Sequence, residues 1–148
     1  KKDPRITPMG GFLRKSKINE LPQLFNIFFG HMSFVGPRPV MRISFDAYPK
    51  QIQKVIYNVK PGLTGVGSII FRDEEELITE KKNNGEDVWK FYKGKIYPFK
   101  GKLEIWYQNN RSFILDMKLI FLTAWVILFS SSKLYEKWFK NLPKRNFN

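Results

Sequence analysis

The sequence contains no cysteine. Disulfides and thiolate metal sites are therefore excluded, and a reducing compartment is compatible. Histidine is almost as scarce: His31 stands alone, so a His-based metal cluster cannot be built; its neighbours form no Ser-His-Asp set, and it reads as a loop residue. Acidic residues are few, 13 against 26 Lys plus Arg, which leaves a net charge of +13. Such a chain seeks an anionic partner: nucleic acid, a phosphate-rich substrate or an anionic membrane face. A long hydrophobic run is also missing. Residues 119–129 are apolar except for Thr123, but as a helix they reach only roughly 16 Å, against about 30 Å of bilayer hydrocarbon. That run is either a buried core helix or a segment lying at an interface. No internal repeat or low-complexity linker divides the chain.

What is present is basic and aromatic. Aromatic residues make up 16% of the chain, 14 of them Phe. This combination fits a membrane interface or a single-stranded nucleic-acid binder. The 148 residues suit one domain. The first residue is Lys1, consistent with a piece of a longer chain.

Residues 1–15 read as basic and irregular. Residues 20–29 read as a helix, with Asn19 as N-cap, Glu20 in the first turn, Leu21, Leu24, Phe25 and Phe28 on one face, and Gly30 as the stop. Residues 31–40 are a loop stiffened by Pro37 and Pro39. Ile52, Val55, Ile56 and Val59 form a helical stripe over 49–59, and Pro61-Gly62 fits a type II turn. Residues 66–71 read as a strand. Asp73 is placed to cap an acidic helix that ends at Asn83-Asn84-Gly85. Leu103, Trp106 and Tyr107 predict a helix before Asn109-Asn110, and Ser112 caps another over 113–129. In 133–148, Leu134, Tyr135, Trp138 and Phe139 share a helical side, with Lys133, Lys137 and Lys140 mostly elsewhere. That describes a helix lying in a membrane surface. The alternative is a basic tail packed on the domain.

Several motifs compete for a functional role. Gly62-Leu63-Thr64-Gly65-Val66-Gly67 resembles a nucleotide loop only superficially. Its glycine order is wrong, and a strand rather than a helix is expected after it. Glu74, Glu75 and Glu76 read as a solvated helix start. In Gly36-Pro37-Arg38-Pro39, the prolines stiffen the backbone on both sides of the guanidinium. A rigid loop lowers the ordering cost of gripping phosphate through two parallel hydrogen bonds; the alternative is a rigid turn with a local ion pair. Glu20, at a helix start, is either a capping carboxylate or a ligand for Mg²⁺ bridging to a diphosphate, with Arg14 and Lys15 upstream adding positive charge.

Phe12-Leu13-Arg14-Lys15, Asn19-Glu20-Leu21-Pro22-Gln23-Leu24 and Gly30-His31-Met32-Ser33-Phe34-Val35-Gly36-Pro37-Arg38-Pro39 resemble the bacterial sugar transferases, the monotopic polyprenyl-phosphate phosphoglycosyl transferases. Asp3-Pro4-Arg5-Ile6-Thr7, Pro61-Gly62-Leu63-Thr64-Gly65, Leu115-Asp116-Met117-Lys118-Leu119-Ile120 and Thr123 extend the similarity to about residue 125. The resemblance implies transfer of a sugar-1-phosphate from a nucleotide sugar, usually a UDP-sugar, to polyprenyl phosphate. This is the first membrane-committed step of polysaccharide or glycoconjugate assembly. It further implies Mg²⁺, an N-terminal membrane helix upstream of the sequence given, and the cytoplasmic face of the bacterial inner membrane. Nucleic acid is not an expected partner, and a homo-oligomer is compatible.

By resemblance Glu20 is the catalytic and metal-binding carboxylate. Arg14, Arg38 and Arg72, and more weakly Arg5, contact substrate phosphate or nucleotide. Asn19 falls where the family usually carries its nucleophilic Asp, and His31 where it often has Asp. A neutral amide is a poor nucleophile, so a catalytically weak or inactive homologue acting as a membrane-associated partner is the alternative. The expected fold is α+β and mostly helical, one compact membrane-surface domain with a small β element and a C-terminal interfacial helix. Residues 1–130 would form the catalytic domain and 131–148 a basic-aromatic interfacial tail.

Overall fold

A computed structural model describes residues Thr7, Met9, 21–129, Ser132, 134–139 and 141–147. The expected irregular segment 1–15, and the Asn19 cap, lie almost wholly outside these residues. The fold is α+β and mostly helical. Helix α1 (Gln23–Phe28) leads into strand β1 (Ser33–Val35), within what was expected to be loop. Gly30, at φ +76°, ends the α1 turn as expected. Two short helices follow, α2 (Arg42–Asp46) and α3 (Lys50–Gln53), before strand β2 (Gly62–Thr64). The two strands pair in parallel, Ser33 opposite Gly62 and Val35 opposite Thr64.

After β2 the chain turns into helix α4 (Val66–Ile70) and helix α5 (Glu74–Asn83). Helix α6 (Val88–Phe91) runs through a π-helical turn (Tyr92–Ile96) into the long helix α7 (Tyr97–Asn110). Arg111 and Ser112 break the helix with extended backbone, and the Ser112 Oγ accepts a hydrogen bond from the Leu115 N–H at 3.2 Å, opening α8 (Phe113–Leu128). A short helix α9 (Leu134–Trp138) begins the tail.

Three sequence expectations are corrected. The segment 66–71 is helical, not a strand. Val66, Gly67, Ile69 and Ile70 are all buried, and a short run buried on every side has no period to tell helix from strand. The stripe over 49–59 does turn Ile52 and Ile56 inward, but the α-helix stops at Gln53 and continues as turns. The Gln108 side chain there donates to the Val55 carbonyl at 2.8 Å. Pro61-Gly62 is not a type II turn, because Gly62 opens β2 and lacks the positive φ that turn requires. In the tail, Phe139 and Leu142 are buried, and Phe147 packs edge-on against Phe91 and Phe99. Arg145 donates two hydrogen bonds to the Asp73 carboxylate, at 2.7 and 2.5 Å. Of the side read as lipid-facing, Phe139 is buried against the domain, Leu134 and Tyr135 are half-buried and Trp138 stays exposed.

The core joins α4, α7 and α8 beneath the sheet. Ile96, Leu103, Leu119 and Leu122 are essentially inaccessible. On α8, Leu115, Leu119, Leu122 and Val126 face inward at helical spacing. Thr123 ties α8 to the sheet through a 2.6 Å hydrogen bond between its hydroxyl and that of Thr64. Among the described residues no helix is long and apolar enough to cross a membrane.

Gly36 and Gly62 let the two strand ends touch. A Cβ on Gly62 would lie 2.6 Å from the Thr64 carbonyl oxygen and 2.7 Å from the Gly36 Cα, both backbone atoms that cannot swing aside. We expect Gly62→Ala to destabilise the fold by at least about 2 kcal/mol in urea denaturation, an overpacking cost with no rotamer escape.

Candidate functional site

The loop that leaves β1 carries Arg38 between two prolines. Its first limb is fastened to β2. The Gly36 N–H donates to the Thr64 carbonyl, and the Gly62 N–H donates to the Pro37 carbonyl, each at 2.9 Å. Its second limb is fastened by Tyr57, whose hydroxyl accepts from the Val40 N–H at 3.2 Å and donates to the Arg38 carbonyl at 3.3 Å. The Tyr57 ring stacks on Phe45, 5.9 Å between centroids. The stiffness inferred from the prolines is therefore reinforced by hydrogen bonds on both sides of Arg38.

Arg38 borders an open cleft of about 340 Å³, together with Gln23, Asn26, Met32, Pro39 and Leu63. Gln23 and Asn26 come from one side of α1, at i and i+3. The opposite side of that helix is apolar and exposed: Phe25 is 68% and Phe28 83% accessible. The cleft thus offers a guanidinium and two amide side chains against a small apolar floor. These groups can hydrogen-bond an anionic, oxygen-rich ligand.

Arg38 is accordingly where the sequence reading put it, at a cleft. Arg72 is half-buried just after α4 and does not line this cleft. Glu20, Asn19, Arg14 and Arg5 lie outside the described residues. Gln23 follows Glu20 by three positions, so the described helix leads back toward the expected catalytic residues. His31 is an exposed loop residue, its N–H bonded to the Asn26 carbonyl at 2.8 Å. Among the described residues no group of three His, Asp or Glu is arranged to hold a metal. Asn26 was missed as a cleft residue, although its i+3 relation to Gln23 was readable. Tyr57 was missed with no sequence signal at all, because its bonds to the loop span 17 and 19 residues.

The glycine-rich segment 62–67 receives a different explanation. A helix does follow it, so the expectation of a strand there falls. Its glycines are nevertheless spent on the chain itself. The backbone of Gly36 occupies the space beside Gly62 and Gly65, and the Glu104 Oε1 lies 3.1 Å from where a Gly67 Cβ would be. Glu104 is buried on α7, its Oε2 has no hydrogen-bond partner, and burial pushes its pKa up to about 7 against a smaller opposing pull from Lys100. On the same helix, the Tyr107 hydroxyl donates to Asp116 at 2.8 Å and approaches the Val35 carbonyl, holding α8 to β1.

The sequence model of the bacterial sugar transferase family matches residues 1–130. The undecaprenyl-phosphate galactose phosphotransferase of Salmonella typhimurium is 34% identical over 128 residues, covering 86% of this chain and 22% of that protein. The UDP-glucose:undecaprenyl-phosphate glucose-1-phosphate transferase of Klebsiella pneumoniae is 36% identical over 127 residues, 84% of this chain and 24% of its own length. An uncharacterized sugar transferase of Bacillus subtilis, EpsL, is 36% identical over 126 residues, 85% of this chain and 52% of its own. The chain therefore spans between about a fifth and about half of the length of these relatives. A match running through nearly all of the described fold, cleft included, has one consequence: the chain belongs to the bacterial sugar transferase family.

Proposed function

We propose that the chain transfers a sugar-1-phosphate from a UDP-sugar to polyprenyl phosphate, with the donor's diphosphate bound at the Arg38 cleft. The observation that carries this reading is the placement of Arg38, on a loop fixed at both limbs, opposite Gln23 and Asn26 of the helix that follows Glu20. Arg38 would neutralise phosphate charge, and the two amides would orient its oxygens. Glu20 would hold Mg²⁺. The amide oxygens of Gln23 and Asn26, with no thiolate or imidazole lining the cleft, fit a cation that prefers oxygen. When bound, Mg²⁺ would offset the charge of the diphosphate. Two relatives carry undecaprenyl phosphate in their names, one of them with UDP-glucose, and this supports the acceptor and donor classes.

The proposed site of action is the cytoplasmic face of the bacterial inner membrane. Leu21, Phe25, Phe28 and Phe29 form one exposed apolar cluster on and around α1. A second apolar row, Phe113, Met117, Phe121 and Leu128, runs along the outer face of α8. Exposed apolar surface of this extent on a chain of net charge +13 fits docking to anionic lipid.

One observation favours a second reading, a catalytically weak homologue: Asn19 stands where the family usually has Asp. Transfer of radiolabel from a UDP-sugar to polyprenyl phosphate separates the two. We expect transfer by the wild type and its loss in Glu20→Ala. A silent wild type that gains activity on Asn19→Asp would establish the weak-homologue reading instead.

A further inference from the structure

We infer that Tyr57 is a positioning residue that holds the Arg38 loop in the shape that receives the donor's phosphate. The inference rests on the reading of Arg38 given above. It starts from what prolines leave undone. Pro37 and Pro39 fix their own φ and Pro39 holds Arg38 to extended backbone, but the ψ angles of Pro37 and Pro39 themselves remain free to turn the guanidinium away. Pro39 also has no N–H, which leaves the Arg38 carbonyl and the Val40 N–H as the backbone groups that flank it on either side. Tyr57 takes both, accepting from Val40 at 3.2 Å and donating to Arg38 at 3.3 Å, and so bridges Pro39 with a single hydroxyl.

The hydroxyl is able to do this because it keeps its proton. Burial raises its pKa above the usual tyrosine value, against the opposing effect of the Val40 N–H. The ring is held from the other side by Phe45, with an angle of 14° between the planes. Tyr57 does not itself line the cleft. Any effect it has on a ligand must therefore pass through the loop.

The test combines UDP titration with amide hydrogen exchange on wild type, Tyr57→Phe, Arg38→Ala and the double variant. Tyr57→Phe keeps the ring and its stacking, and unchanged exchange at the core amides of Leu103 and Leu119 would confirm an intact fold. Loss of one hydrogen bond should speed exchange at the Val40 amide by about fivefold. Arg38→Ala should weaken UDP binding at least about tenfold, as expected for losing a charge-assisted contact. Tyr57→Phe should weaken it by about threefold or more, and the double variant should bind no worse than Arg38→Ala alone. If Arg38→Ala weakens UDP while Tyr57→Phe binds as wild type, or if the two losses add, Tyr57 does not act through Arg38 and the inference is wrong. If Arg38→Ala binds UDP as wild type does, the reading of the cleft fails and takes this inference with it.

Discussion

Replacing Glu104 with glutamine should open a stability difference from wild type that widens by about 3 kcal/mol between pH 4.5 and pH 8, in favour of the variant. Glu104 is 6% accessible, and one of its oxygens has no partner. Burial raises its pKa from 4.5 to about 7. Between those values the folded chain keeps the proton that the unfolded chain releases. The unfolded state therefore binds fewer protons, and stability falls as pH rises through this window. Above about pH 7 the folded state carries the buried charge and the loss is complete. Lys100, one turn earlier on α7, pulls the other way, but its ammonium is already bound to Glu74 at 2.7 Å. The phenols of Tyr48, Tyr57 and Tyr107 stand in the same field, and each feels the Glu104 charge. Glutamine cannot titrate, so the difference between the two proteins isolates this group from every other. Urea denaturation at several pH values gives the result. A constant difference would mean that Glu104 ionises like an exposed carboxylate.

Double replacement of Phe25 and Phe28 by aspartate should reduce binding to anionic vesicles by at least about 100-fold, with no loss of fold. Each ring is more than two-thirds exposed, and burying a phenylalanine in an apolar phase contributes about 1.5–3 kcal/mol. Two rings together correspond to roughly 3–6 kcal/mol, before counting the repulsion of new carboxylates by anionic headgroups. Co-sedimentation with phosphatidylglycerol vesicles measures the change, and circular dichroism reports the fold. Raising salt should weaken the electrostatic share alone. If the variant sediments like the wild type, α1 does not face lipid, and the row on α8 becomes the docking face to test.

The sequence was most readable where a single local rule governed the outcome. Ser112 caps α8 as its position predicts, Gly30 takes the left-handed conformation after α1, and Asn83 ends α5. Arg38 was found because prolines and a guanidinium in one tetrapeptide carry their own mechanical meaning. Legibility ended where tertiary contacts decide. The segment 66–71 is rich in β-branched residues, but it lies in a fully buried position that accepts a helix. Nothing local in the sequence shows that glycines 62 and 65 make room for Gly36, far away along the chain. The tail showed a sound amphipathic pattern, but pattern alone does not say whether an apolar side faces lipid or protein. Here Phe139, Leu142 and Phe147 found protein. On α1 the apolar face stays uncovered, with Phe25 and Phe28 exposed.

The same division holds for the site. The family resemblance brought forward Asn19 and the roles of Glu20 and the arginines. Geometry keeps Arg38 at the cleft and leaves Arg72 away from its lining. Geometry also adds Gln23 and Asn26 as the polar wall and Tyr57 as the support behind the loop.

The most direct measurement is an experimental structure of the protein bound to a UDP-sugar. The diphosphate should be seen at about 3 Å from the Arg38 guanidinium, with Gln23 and Asn26 on its other side. A donor bound elsewhere, with the Arg38 cleft open to solvent, would contradict the account.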